Sequence, residues 1–407
     1  MRARHLIVFA LGFDLLLLFS QISSLSLSHS EASILYGEFS FLQQLIHISF
    51  MLFGVNDIGL RFVMVLFHLL SVVLLFAISS RYLRLYSDRF WLLLIYILLP
   101  GVMSAAILVN SAGLIIFGLL LYIYLTQKVS QKYLNVLLLF YALINVGFAY
   151  LFLGLALYFI SQKKPALVVY NFLLYFLSSY IYGFDAQGYP SGHFLDTIGV
   201  YSAIFTPIIF IYLSYVLYRR YLTGELDILW YISAVPLLFS LLLSFRQAIP
   251  VEHFAPYLIV ALPLSAQTFL HSYRIRLKEF RGFYRSAFTL SFAFLLINAF
   301  IVIFHKELYI FLDDPQKHFA YDMHIAKELS SELKSQGIEC VETDEKMQLR
   351  LRYFGINRCS KNRLQRVEDW NGEPTDVTIS YKNKSIYRAN VTKINTKSNE
   401  FTDTERK

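Results

Sequence analysis

The sequence predicts a polytopic α-helical membrane protein, with about eleven transmembrane helices and a small C-terminal α/β domain outside the membrane. Two observations carry this expectation. The 407 residues are 57% hydrophobic and only 16% charged, where soluble domains carry about 25% charged residues. The charges are also segregated: residues 1–304 hold 18 Lys/Arg and 11 Asp/Glu, while residues 305–407 hold 18 and 17. That asymmetry excludes one homogeneous globular protein. It divides the chain into a transmembrane body (1–304), an extracytoplasmic α/β domain (305–388) and a disordered tail (389–407) of short polar and charged residues.

A helix crossing the hydrocarbon core needs about 20 largely apolar residues. Such stretches lie at 5–22, 58–78, 90–108, 111–127, 166–182, 197–217, 228–244, 255–271 and 286–304. The stretch 133–160 is too long for one ordinary span and holds Asn145 and Gly147 near its centre. The positive-inside rule decides how it is used. The basic clusters are Arg2/Arg4, Arg81/Arg84/Arg89, Lys128/Lys132, Lys163/Lys164, Arg219/Arg220 and Arg274/Arg276/Lys278/Arg281/Arg285. All can be cytoplasmic only if 133–160 crosses twice. Eleven spans follow, with the N-terminus cytoplasmic and the C-terminal domain outside. Each half of 133–160 is then about 21 Å long at 1.5 Å per residue, so partial re-entrance stays open as the alternative. The first apolar run, followed by Ser23, Ser24 and Ser26, also fits a cleaved leader; a signal anchor is the simpler expectation.

The net charge of +8 does not point to nucleic acid. Basic residues of the body fall in short clusters between apolar runs, and the C-terminal part is nearly neutral, so no phosphate-tracking stripe results. Two cysteines, Cys340 and Cys359, are too few for a disulfide scaffold. Outside the cytoplasm they can bridge, closing a loop of about 20 residues worth roughly 3 kcal/mol; free thiols are the alternative. Residues 322–337 place apolar side chains at 325, 329 and 333 and end in glycine, which predicts a surface helix. Residues 338–343 read as a strand, and 347–354 as a strand or short helix. Neither a P-loop nor a dinucleotide-binding glycine motif is present in the sequence.

Only two basic residues of the body, Arg61 and Arg246, fall on the outer side of this topology. Before Arg61, the first outer loop holds Glu31 and Glu38, then an amphipathic segment (39–53) with Gln43, Gln44 and His47 that suits a helix lying in the interface. An arginine offers phosphate oxygens a planar, permanently charged donor set. A nearby carboxylate can take the proton of an attacking hydroxyl. Together they point to work on a lipid phosphate. The plainer alternative makes Glu31 and Glu38 solvated loop residues and Arg61 a snorkelling helix anchor. A third outer loop, 183–196, gathers Asp185, Tyr189, His193 and Asp196. It is expected to be a flexible hairpin near an acceptor entrance, with an Asp-His-Asp metal site as the alternative. Asp14 lies in the middle of the first span, an expensive position, and is expected to pack against another helix.

The order of features in 29–79 resembles the first outer loop and second helix of the polyprenyl-phosphate-dependent integral-membrane glycosyltransferases of the GT-C superfamily, in their protein mannosyltransferase and aminoarabinose transferase branch. Ser30-Glu31-Ala32 matches the acidic motif after helix one, 39–53 the loop-lying helix, Phe53-Gly54 the turn and Arg61-Phe62 the next helix start. Residues 245–264 are similar to the late outer loop in which members place a basic residue and a Tyr/Phe-x-x-Pro segment before an Ala-Leu-Pro helix. Two departures stand out. Asn110 and Ser111 occupy the turn where members often carry a second acidic residue, and Phe39-Ser40-Phe41-Leu42 lacks the Pro-Pro that often follows the first acidic motif.

The resemblance implies a GT-C-like fold in the bacterial inner membrane. It implies transfer of a sugar, with inversion, from a polyprenyl-phosphate carrier to a glycolipid, glycan or protein acceptor. Glu31 would be the catalytic base, and Arg61 and Arg246 would hold the donor phosphate. Glu38, His193, His253 and Tyr257 would be further substrate contacts. The implied partners are the lipid-linked donor, the acceptor and the bilayer; the sequence indicates no cofactor, with a divalent metal ion as the open alternative. The alternative is a transporter or flippase of a polyprenyl-linked glycan that uses the same outer basic residues without chemistry.

Overall fold

Side-chain caps and prolines set where helices begin in this chain, whose computed structural model describes residues 2–183, 192–367, 375–382 and 384–393. Helix α1 is Arg2–Ser24 and α2 is His29–Tyr36, opened by Ser28. Ser40 caps α3 (Phe41–Phe53), Asn56 caps α4 (Asp57–Ser79), and each side-chain oxygen accepts the N–H three residues on. Next come α5 (Tyr86–Leu98), α6 (Pro100–Ile107) and α7 (Ser111–Thr126), the last capped by Asn110. Helices α8 (Gln131–Ile144) and α9 (Ala149–Ser161) flank a single 3₁₀ turn capped by Asn145. The body continues through α10 (Pro165–Tyr182), α11 (Phe194–Phe205), α12 (Pro207–Thr223) and α13 (Ile228–Ser244). It ends with α14 (Val251–Ile259), α15 (Leu262–Arg274) and α16 (Arg281–Ile303). The rest folds as α17 (Asp322–Ser335), α18 (Glu345–Tyr353), β1 (Asn362–Arg366), β2 (Val377–Tyr381) and β3 (Lys384–Lys393).

Two compact units result. The first takes Met1–Ser23 and Phe39–Val302, the second Ser24–Glu38 and Ile303–Lys407. The split differs from a single boundary near residue 304, because fifteen residues of the first outer loop fold with the C-terminal part.

Among the described residues of the first unit, four helical stretches are long and apolar enough to cross a membrane alone: Asp57–Ser79, Pro165–Tyr182, Val251–Arg274 and Lys278–Ile303. Two stretches expected as single spans are broken. The 90–108 stretch bends by 64° between α5 and α6, and 197–217 bends by 105° between α11 and α12. The cause is proline at 100 and 207, which lacks the N–H for the helical ladder and pushes the preceding residue to extended backbone. Leu99 accordingly is extended, at φ −62° and ψ 127°, whereas Thr206 is held at φ +65°, an uncommon value for a β-branched residue. The broken spans pack together where Gly101 abuts Ile204, with no room for a side chain between them. A third broken pair, Ala10–Ser24 with His29–Tyr36, is divided between the two units. Counting each bent pair as one crossing gives up to seven by length and composition among the described residues, beside five shorter apolar helices.

The stretch 133–160 turns back on itself. The Tyr170 hydroxyl donates to Asn135 O and the Tyr182 hydroxyl to Leu143 O, both at 2.7 Å, so α10 and α8 run the same way. Helix α9 lies between them in sequence, packs along α10 and joins it through only three residues, so it runs the opposite way. Its close approach to α13 is allowed by Gly154, which faces the backbone of Tyr231 and Ile232.

These directions sort the loops of the first unit into two ends. At one end the Tyr82 hydroxyl donates to Asp227, Arg274 to Asp88, and Arg220 to Gln267; Tyr158 at the end of α9 meets Tyr231 at the start of α13. The basic clusters 81–89, 128–132, 163–164, 219–220 and 274–285 belong to this end. At the other end His193 N–H bonds to Ser244 O, the Tyr257 hydroxyl to Gly147 O, and Asn145 to Ser111.

In the second unit, α17 and α18 cover an antiparallel sheet of order β1-β3-β2. Ile325, Leu329 and Leu333 from α17, Met347 and Leu351 from α18, and Val377, Ile379 and Tyr387 from the sheet form its core. Residues 347–354 are thus helical. Residues 338–343, expected as a strand, make only two isolated bridges, Cys340 to Asn357 and Glu342 to Arg363. Residues 389–393, expected in the disordered tail, are the end of β3: Ala389 is buried opposite Val377 and Arg366, an apolar anchor that composition undervalued. Cys340 and Cys359 form a disulfide, with Cα atoms 5.5 Å apart.

Candidate functional site

The acidic residue singled out in the sequence sits on α2, in the second unit. Its local structure is a capping box, Ser28-x-x-Glu31. The Glu31 N–H donates to Ser28 Oγ at 3.2 Å; Ser28 N–H and Oγ–H reach back to Glu31 Oε2 at 2.9 and 3.1 Å. Glu31 is fully buried, unlike a solvated loop residue. This S-x-x-E signal was legible in the sequence and reveals a structural duty that the catalytic expectation overlooked. Glu38, two residues past the end of α2, is exposed.

The remaining candidates lie in the first unit. Arg61 occupies the second turn of α4, is fully buried, and donates from Nη1 to Ile22 O at 3.1 Å. A snorkelling anchor would keep its guanidinium in water, so the plainer alternative for Arg61 does not hold. Burial of a permanent charge requires partners, and the Ile22 carbonyl is one. Met64, one turn along α4, lies against Gly113 at the start of α7, which puts the Arg61 end of α4 beside the cap Asn110.

Arg246 is exposed, one residue past the turn that closes α13, and Gln247 beside it is buried. His253 is half-buried in the first turn of α14. Tyr257 is fully buried one turn further, and its hydroxyl is committed to Gly147 O at 2.6 Å. His193, half-buried, places Nδ1 3.2 Å from Asp196 Oδ2 and its N–H on Ser244 O. Arg61, Arg246, His193, His253 and Tyr257 therefore share one end of the first unit, opposite the basic loops. Asp185 and Tyr189 lie outside the described residues. Among the described residues no three His, Cys, Asp or Glu side chains are grouped to hold a metal ion.

Asn110 and Ser111, where the resemblance expects a carboxylate, are spent on structure. Asn110 caps α7, and Ser111 Oγ accepts from Asn145 Nδ2 at 3.2 Å. A small pocket opens at the same end between α9, α10 and α13, lined by Tyr150, Tyr175, Ser179, Phe239 and Leu243. A second small pocket is lined by His68, Ser71, Tyr96 and Gly113. Neither is lined by Arg61 or Arg246. His68 was missed in the sequence. It bonds Asp14 Oδ2 at 2.8 Å and stacks on Tyr96, supplying the interhelical partner that Asp14 required.

No protein-family model matches the chain, and no curated protein does. Among solved structures, the crystal structure of ArnT from Cupriavidus metallidurans in the apo state is similar, with a TM-score of 0.54. The match covers 86% of this chain and 85% of that one, at 14% identity. At that identity the likeness shows the fold alone: a mostly helical chain, with several apolar helices, arranged like ArnT.

Proposed function

We propose that this membrane protein is a glycosyltransferase that takes a sugar from a polyprenyl-phosphate carrier at the outer face of the bacterial inner membrane and passes it to a hydroxyl of a glycolipid, glycan or protein. The observation that carries this reading is the chain-long fold likeness to ArnT, with Glu31 on α2 and Arg61 on α4. In this reading Glu31 accepts the proton of the acceptor hydroxyl as that oxygen attacks the anomeric carbon. The bond from that carbon to the phosphate oxygen breaks on the opposite face, the electron pair leaves with the polyprenyl phosphate, and configuration inverts. Arg61 and Arg246 neutralise the leaving phosphate, an electrostatic role of the oxyanion-hole kind. Glu38, His193 and His253 are assigned to acceptor and donor contacts.

The test is transfer by the purified full-length protein from a panel of polyprenyl-phosphate sugars. Glu31→Gln is expected to lower the rate about 10²–10⁴-fold, the usual worth of a positioned base, with donor binding kept. Arg246→Ala, at an exposed position, is expected to weaken donor binding about 10- to 100-fold, as for loss of a charge-assisted hydrogen bond. Full transfer by Glu31→Gln removes the base assignment, and unchanged donor affinity in Arg246→Ala removes the phosphate role. A second reading, a flippase, is favoured by one observation. Two proline-broken spans touch at Gly101 and Ile204, and broken helices line many transport sites. Movement of the lipid-linked glycan across vesicles without sugar transfer would select it.

A further inference from the structure

The fifteen residues that carry Glu31 leave the first unit after Ser23, fold with the second, and return at Phe39. Their attachment is specific at both ends of α2. Ahead of the helix, the Ser26 N–H donates to Met323 O and Ser26 Oγ accepts the Lys327 N–H, each at 2.8 Å. Met323 and Lys327 are four apart in α17, the very carbonyl and N–H that one helical turn pairs with each other, and both reach Ser26. Ser26 is buried. Behind the helix, the Arg352 guanidinium of α18 lies over the Tyr36 ring, 4.5 Å from its centre, and α2 packs along α18. Helix α18 is itself tied to the start of α17: Arg350, buried, donates to the Asp322 carbonyl at 2.9 Å. Between these two attachments the capping box fixes Glu31 Oε2 against Ser28.

We infer that α17 and α18 form a cradle for the acidic helix, and that Ser26 and Arg352 are positioning residues that set where Glu31 stands during transfer. This rests on the assignment of Glu31 as the base and gives the C-terminal domain a part in catalysis. The logic is one of leverage. Helix α2 has only eight residues, too short to hold its shape without tertiary support, and the segments on either side of it belong to a different unit. A base must stay within hydrogen-bond reach of its proton, so release at either end of so short a helix moves the carboxylate by more than catalysis tolerates.

The experiment uses the full chain in lipid nanodiscs, with wild type, Ser26→Ala/Arg352→Ala, Arg352→Lys and Glu31→Gln compared. The double variant is expected to lose hydrogen-exchange protection over residues 29–36 while β1–β3 keep theirs, which shows that the domain remains folded. Its kcat is expected to fall by about tenfold to 10²-fold, the scale of an ångström-sized misplacement, with KM for the lipid donor unchanged. Arg352→Lys, which keeps a cation over the Tyr36 ring, is expected to retain most of the wild-type rate. Unchanged protection over 29–36 in the double variant overturns the cradle. Lost protection with unchanged kcat overturns the positioning role. Full transfer by Glu31→Gln is a separate failure: it ends the base assignment, and the positioning role falls with it even where the exchange data show the cradle.

Discussion

Asp14 and His68 meet near the middle of two helices that are apolar along most of their length, 54 residues apart in sequence and 2.8 Å apart in space, each about 5% exposed. Tyr96 stacks on the imidazole with its ring nearly parallel. In such surroundings each polar group is tolerable only because the other satisfies it. Removing one partner strands the other. Asp14→Ala or His68→Ala is therefore expected to destabilise the first unit by about 3 kcal/mol or more, whereas the double replacement Asp14→Leu/His68→Leu should cost far less than the sum of the singles. Thermal unfolding of the purified protein followed by circular dichroism measures all three, and strict additivity would show that the pair is not a unit. Asp14 was legible as a residue in need of a partner because carboxylates at that depth are rare. His68 was not, since one histidine inside an apolar run carries no spacing signal and only the packing of α1 on α4 reveals its use. Arg61 is the same kind of case: its place in the sequence marked it, but its full burial follows from tertiary packing.

Elements begin where short-range chemistry says they should, and this part of the fold was readable. Asn56, Asn110, Asp227 and Asp344 each open a helix by accepting the N–H three residues on. Pro100 and Pro207 were equally visible, yet a search for apolar length passes over them, which is why two expected spans are bent pairs. The second unit was less legible, because its core draws on α17, α18 and all three strands across some sixty residues. Its histidines make the element sensitive to acid. His324 bonds the Tyr309 hydroxyl through Nδ1 at 2.9 Å and stacks on His305. Burial, reinforced by His305, Lys306 and His318, pushes its pKa down to about 2. Burial lowers that of His318 as well, although Nε2 donates to His305 O; Nδ1 accepts the Ala320 N–H, so both nitrogens are occupied with the ring neutral. An unfolded histidine takes a proton near pH 6.5. Below that pH the unfolded state holds more protons than the folded one, so stability is present above about pH 6.5 and declines as pH falls toward 2. The slope is up to about 1.4 kcal/mol per pH unit for each such histidine. Amide protection of α17 is expected to fall between pH 7 and pH 5, and to fall less steeply in His324→Leu. A pH-independent protection would refute it.

At the scale of the whole chain, the question is which ends of the helices face the cytoplasm, and charge and geometry give the same partition of the first unit. Sequence alone required 133–160 to cross twice so that Lys128/Lys132 and Lys163/Lys164 could lie on one side. The parallel course of α8 and α10, with α9 between them reversed, brings those lysines to one end together with Arg81, Arg219, Arg220 and Arg274. Each of α8 and α9 is only about 20 Å long at 1.5 Å per residue, short of the roughly 30 Å hydrocarbon core. A double crossing by this pair would require local thinning of the bilayer or burial of their ends within the bundle. Tyr141 and Phe148 stack where the two helices meet, and the Tyr141 hydroxyl bonds Gly118 O, so the turn is held inside the bundle, which satisfies its backbone without contact with lipid. Reporter fusions after residues 128, 163 and 224 are therefore expected to read cytoplasm, and fusions after 248 and 310 to read exterior. Matching signals at 128 and 163 with the opposite signal at 248 would support the double crossing. Opposite signals at 128 and 163 would mean that 133–160 crosses once, which would place Arg246 and the proposed donor phosphate on different faces of the membrane and end the functional reading at its root.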